Sequence, residues 1–199
     1  MIRIFDILLS LLFIIFTLPL MVVIGLLILC CNGWPVFYIS KRVGRYNRQF
    51  SHLKFRTMKK GKESGRVFFE QERITSLGKV LRKLHLDELP ELFLILKGTL
   101  SLVGPRPLPE KLLTGLNTSK RAIVRPGWTG LAQIYLTKKG KMDKRLQIRL
   151  DNYYVDHRDF FYNMKIIMAT ICVLLHQKKL NMRKDASKDR EKFNKNSTT

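Results

Sequence analysis

From Ile7 to Cys31 the chain reads ILLSLLFIIFTLPLMVVIGLLILCC, 25 residues without a charge. As a helix this run is about 37 Å long, more than the ~30 Å hydrocarbon core of a bilayer. It is too long for a signal-peptide core, and no small-residue cleavage site follows it. Two membrane geometries remain open. A plain spanning helix places Lys41, Arg42, Arg45 and Arg48 on the cytoplasmic side. Alternatively Pro19, at the midpoint after Leu18, removes a backbone donor, bends the helix and returns both ends to one face. In either geometry residues 41–199 are cytoplasmic.

Beyond the apolar run the periodicity changes. VFYISKRVG (36–44) and QFSHLKFRTM (49–58) alternate as strands do and are rich in aromatics. A helix capped by Thr75 or Ser76 is predicted from Leu77, Val80, Leu81 and Leu84, spaced i, i+3, i+4, i+7. A second helix follows, with Leu89, Leu92, Phe93 and Leu96 on one face. It stops at Gly98, and Lys97 complements the dipole in its last turn. Phe160 to Leu175 is apolar but carries Asn163 and Lys165, so it is too short and too polar to span; a core helix or an amphipathic interface helix fits it.

The pattern therefore divides the chain into a membrane-anchoring segment (1–35), a cytoplasmic domain (36–180) and a basic tail (181–199). The tail belongs to a run from Lys178 onward with eight Lys/Arg against three acids. With 46% hydrophobic residues the chain can bury a core, and 199 residues exclude a large multidomain enzyme. Cys30, Cys31 and Cys172 sit in apolar runs and suit neither a disulfide framework nor a zinc site; they are expected to pack.

Charge narrows the class of partner. There are 37 Lys+Arg against 15 Asp+Glu, a formal net charge of +22. Phospholipid, nucleic acid or a phosphorylated small molecule each fit that excess. A membrane-tethered nucleic-acid binder is the alternative reading. Against it, no helix-turn-helix, zinc or RNA-recognition signature is present, and aromatics are not interleaved with Lys/Arg. The location of the charge matters more: residues 41–66 hold ten Lys/Arg and one Glu, directly beyond an uncharged anchor. That placement fits anionic lipid and diphosphate substrates at a membrane face.

Acids are scarce, yet Asp87 and Glu88 stand side by side in Leu86-Asp87-Glu88-Leu89-Pro90-Glu91, just beyond Arg82, Lys83 and His85. As N-cap and first-turn residues they need no further function, a cap contributing about 0.5–2 kcal/mol. The same pair could hold a divalent cation or present an oxygen nucleophile. Downstream, Pro105 and Pro107 flank Arg106 and restrict where its guanidinium points, as phosphate recognition requires. Arg125-Pro126-Gly127-Trp128 reads as a turn that could wall a pocket.

Taken in order, Arg3-Ile4-Phe5-Asp6, Lys54-Phe55-Arg56-Thr57-Met58, Leu86-Asp87-Glu88-Leu89-Pro90, Leu96-Lys97-Gly98, Ser101 through Pro107, Val124-Arg125-Pro126-Gly127 and Asp151 with Tyr153-Tyr154-Val155-Asp156 resemble the bacterial sugar transferase family, in particular its small monotopic phosphoglycosyl transferases. The resemblance implies a helix-rich α/β domain on the cytoplasmic face of the bacterial inner membrane. It also implies a re-entrant helix hairpin at Leu18-Pro19, with interfacial amphipathic helices including 160–175. The implied reaction transfers a phosphosugar from a UDP-sugar to polyprenol (undecaprenyl) phosphate, releasing UMP, with Mg²⁺.

Carried over by position, Asp87 is the implied nucleophile, and Glu88 helps position Asp87 and Mg²⁺. Lys54, Arg56, Arg82 and Arg106 are expected to bear on phosphate and nucleotide, Pro107 to shape the pocket, and Asp151 to be an acid near the site. The chain departs from the family pattern at three places. Leu18 replaces a Ser, leaving Thr17 to bond any carbonyl freed by Pro19. Tyr135–Gly140 replaces an Asn-Gly-Arg-Asn loop, and Leu94 replaces an Asn.

Overall fold

A computed structural model describes residues 1–59 and 72–176. The tail expected over 181–199 lies outside the described residues. Helix α1 (Ile2–Asn32) runs through Pro19 as one element. Its buried residues, Asp6, Ser10, Ile14, Met21, Ile24 and Ile28, form one stripe at helical spacing. The opposite side is apolar and uncovered: Ile4, Leu8 and Phe16 are 63%, 62% and 74% exposed. The helix is long and apolar enough to cross a membrane, and an apolar face of this extent marks a surface that meets lipid or another protein. Thr17 Oγ1 does bond a carbonyl, but that of Phe13 at 2.7 Å. The carbonyl that Pro19 frees belongs to Ile15, four residues before it.

Both ends of α1 are fastened to the same domain. Near the start, Arg3 donates to the Ile95 and Leu96 carbonyls at 2.6 and 2.8 Å. Asp6 accepts from Ser101 Oγ at 2.7 Å and from the Leu102 amide at 3.1 Å. At the other end Asn32 Nδ2 donates to Thr75 Oγ1 at 3.4 Å, and the Arg56 guanidinium caps the carbonyls of Asn32 and Gly33.

The strand alternation forms a hairpin. β1 (Phe37–Val43) pairs antiparallel with β2 (Gln49–Phe55), with Phe37 opposite Phe55 and Val43 opposite Gln49. Tyr46 and Asn47 turn the chain between them with φ near 55°. Helices α2 (Ser76–Lys83) and α3 (Glu91–Lys97) follow, then β3 (Ser101–Val103), which pairs in parallel with β4 (Gly127–Thr129). The fold closes with α4 (Leu131–Lys139), α5 (Lys144–His157) and α6 (Phe160–His176). Two small sheets among helices make this a helix-rich chain.

The core joins α1 to the domain: Ile28, Leu92, Ile95 and Leu100 are fully buried, with Phe55, Leu81 and Ile166 around them. Three expectations need correction. Of the predicted stripes, Val80, Leu84 and Phe93 are exposed, while Ile95 takes the buried position on α3. Cys30, Cys31 and Cys172 are also exposed rather than packed. Residues 135–139 are not a loop but the end of α4, which stops at Gly140. The parallel pair β3–β4 needs glycine, since a Cβ on Gly127 would stand 2.0 Å from the Gly104 nitrogen.

Candidate active site

The acidic pair sits between α2 and α3. Thr75 caps α2 by accepting from the Gly78 amide at 3.0 Å, and its own amide bonds the Thr57 carbonyl at 3.1 Å. This fastens α2 to the end of the β2 segment, so that Arg82, two turns on, lays its Nε 2.8 Å from Thr57 Oγ1. The chain then reverses at His85, whose φ of 56° is unusual for a residue with a Cβ. Leu86–Glu88 form a 3₁₀ turn that leads through Leu89 and Pro90 into α3.

Asp87 therefore is not the N-cap of α3, as its sequence position suggested. Pro90 holds that place, and Asp87 lies one turn upstream on a tighter helix. The reason is Pro90: its ring fixes φ and removes an amide, so the regular hydrogen-bond ladder begins only after it.

The two carboxylates differ in their surroundings. Glu88 is held by Lys54 through a close ion pair and by Arg106 Nη2 at 3.4 Å. Burial opposes its ionisation, but Lys54 and Arg106 prevail and hold it below the ordinary range for a glutamate. Asp87 has no hydrogen-bond partner other than its own amide among the described residues. Burial and the adjacent Glu88 charge push its pKa up against the pull of Lys54 and Arg82. A partly desolvated, more basic carboxylate beside a fixed cationic frame suits an oxygen nucleophile.

A small cleft opens beside Glu88, lined by Arg42, His52, Lys54, Glu91, Arg106, Pro107 and Trp128. Lys54, Glu88, Arg106 and Pro107 are thus brought together as expected, with Gly127 and Trp128 as wall. Glu91 and His52 also line the cleft, beyond the residues to which the sequence motifs point. Glu91 is only 3% exposed, with His52 Nε2 at 3.2 Å and Lys54 Nζ at 3.3 Å from one carboxylate oxygen. The signal for His52 was present: residues 52 and 54 of one strand point to the same side.

Asp87 and Arg82 do not line this cleft, and two further expected site residues are committed elsewhere. Arg56 is buried and committed to the carbonyls that end α1. Asp151, 2% exposed on α5, faces Arg121 Nε at 3.2 Å instead of the cleft. Arg121 in turn donates from Nη2 to the Arg106 carbonyl at 2.6 Å, so Asp151 bears on the site through two residues. Burial pushes the Asp151 pKa up to about 7 despite Arg121.

Comparisons with known proteins converge. The family described as bacterial sugar transferase matches residues 1–177. A Bacillus subtilis (strain 168) protein named uncharacterized sugar transferase EpsL is 43% identical over 143 residues, 70% of this chain and 69% of that protein. The exopolysaccharide production protein ExoY of Sinorhizobium fredii (strain NBRC 101917 / NGR234) is 33% identical over 189 residues, covering 85% and 83%. The UDP-N-acetylgalactosamine-undecaprenyl-phosphate N-acetylgalactosaminephosphotransferase of Aeromonas hydrophila is 37% identical over 166 residues. That match takes in 79% of this chain but spans 39% of the Aeromonas protein.

Proposed function

The chain belongs to the bacterial sugar transferase family, and from that premise we propose that it moves a phosphosugar from a UDP-sugar to undecaprenyl phosphate at a membrane face. The carrying observation is the division of labour between the two acids. Glu88 takes up Lys54 and Arg106, and among the described residues the Asp87 carboxylate has no ion-pair partner.

In the first step an Asp87 oxygen attacks the phosphorus that bears the sugar. A P–O bond forms to the carboxylate, the bond to the bridging oxygen breaks, and UMP leaves with that oxygen. In the second step a phosphate oxygen of the polyprenol carrier attacks the same phosphorus, and the Asp87–phosphorus bond breaks to regenerate the carboxylate. Covalent capture divides one displacement between bulky anions into two. Arg106, held by its flanking prolines and by Arg121 at its carbonyl, presents charge to the diphosphate, and Arg82, held by Thr57 and acting on Asp87, adds to it.

Two adjacent carboxylates are a fitting donor set for Mg²⁺, which takes one or two protein oxygens and fills its remaining positions from phosphate and water. Asp87 and Glu88 would hold it, and its charge would offset that of the diphosphate. The fastening of both α1 ends to one domain, together with Pro19 mid-helix, supports a re-entrant anchor over a spanning one. The domain then lies on the cytoplasmic face of the inner membrane, with α6 in the interface and the basic surface near anionic lipid.

The test pairs two readouts on Asp87→Asn. With undecaprenyl phosphate and a panel of UDP-sugars, the wild type releases UMP from at least one donor and the variant from none. With that donor and no acceptor, the intact mass of the wild type rises by one phosphosugar and that of the folded variant does not. Turnover by Asp87→Asn at the wild-type rate would falsify the mechanism.

A further inference from the structure

A second, larger cavity of about 510 Å³ opens beside the first turn of α1 and shares no lining residue with the Glu88 cleft. Arg3, Arg45, Arg125 and Arg158 all line it, and among the described residues Asp6 is the one carboxylate there. That carboxylate is already engaged by Ser101 and Leu102. The guanidiniums are not equally spent. Arg3 gives both terminal nitrogens to carbonyls at the end of α3. Among the described residues Arg45 and Arg125 hydrogen-bond only through Nε, to the Ile123 carbonyl at 2.8 Å and the Gly98 carbonyl at 2.9 Å, and the Arg45 guanidinium also lies over the Tyr46 ring at 4.5 Å. Among the described residues Arg158 bonds none.

The cluster is electrostatically costly as it stands. Burial, then the like charges of Arg3, Arg45 and Arg158, lower the pKa of Arg125, and Asp6 only partly offsets them. Forked N–H donors turned toward a common space, with excess positive charge, match the oxygens of a phosphate ester. The mouth identifies which kind. Ile2 and Phe160, the first residues of α1 and α6, form part of the wall. From there the exposed apolar side chains continue as Ile4 and Leu8 on α1 and Phe161 on α6, the last 74% exposed. A soluble anion has no use for that hydrocarbon margin, whereas a lipid has.

We infer that this cavity holds the phosphate of an anionic glycerophospholipid, with the acyl chains lying along the exposed faces of α1 and α6. The inference rests on the membrane-face reading above but not on its chemistry. A bound lipid would join the start of the anchor to the start of the interface helix and so set the depth at which the domain rides.

The experiment titrates full-length protein in neutral detergent with short-chain phosphatidylglycerol, phosphatidylcholine or inorganic phosphate, by calorimetry. Phosphatidylglycerol is expected to bind most tightly. Arg158→Gln, at an exposed side chain with no hydrogen-bond partner among the described residues, should weaken it about fivefold, and Arg45→Gln with Arg158→Gln should weaken it further. Asp87→Asn, which abolishes UMP release if the proposed reaction is right, should leave lipid binding unchanged. Equal binding by wild type and the double variant overturns the site. Loss of binding in Asp87→Asn overturns it by moving the lipid to the catalytic cleft. Inorganic phosphate binding as tightly as phosphatidylglycerol overturns the lipid assignment.

Discussion

Arg121 Nε lies 3.2 Å from Asp151 Oδ2 where the two side chains are only 7% and 2% exposed. The opposite charges attract, yet burial raises the Asp151 pKa from 3.8 to about 7 and lowers that of Arg121. Between those two pH values the folded chain binds more protons at this site than the unfolded chain. Stability therefore falls as pH rises from roughly 4 to 7, by up to a few kcal/mol. Asp151→Asn removes this slope, so its stability should gain on the wild type between about pH 5 and pH 8. Urea midpoints in detergent at both pH values measure it; a gap moving the other way means the ion pair outweighs burial.

Glu88 is the anchor of the cationic frame. Glu88→Gln removes the charge that holds Lys54 and Arg106, and the released cations can then pair with Asp87. UMP release should drop about 10–100-fold, with the melting temperature nearly unchanged. Full activity in the variant would show that the frame does not depend on this residue.

Glu91 and His52 should behave as a unit. Glu91→Gln leaves a buried imidazole without a carboxylate and Lys54 with Glu88 alone, a loss of about 1–3 kcal/mol. Once that carboxylate is gone, His52→Gln should cost little more. Chemical denaturation of both single variants and the double one measures the coupling, expected at about 0.5–3 kcal/mol. Additive losses would mean that the 3.2 Å contact carries no net energy.

Arg3 joins the anchor to the domain. Arg3→Gln gives up charge-assisted bonds to two carbonyls, and about 1.5–3 kcal/mol of stability should go with them. The same contact predicts topology. A cysteine replacing exposed Ile4, in a chain freed of its three native cysteines, should react with an impermeant maleimide only from the cytoplasmic side. Labelling from outside intact cells would restore the spanning helix.

Much of this protein is determined by local pattern. The uncharged run specifies α1, alternation specifies β1 and β2, and Thr75, Gly98 and Gly140 set helix ends, because each depends on near neighbours in the chain. The adjacency of Asp87 and Glu88 was likewise visible, and so was the family. Other features depend on contacts between distant segments. That Arg56 ends α1, that Asp151 works through Arg121, and that Glu91 and His52 meet follow from how α1, the hairpin and α5 pack. The difference between the two acids is of the same kind. Two neighbouring carboxylates look alike in a sequence, and only Lys54 and Arg106, brought from 34 and 18 residues away, make Glu88 an anchor and leave Asp87 available.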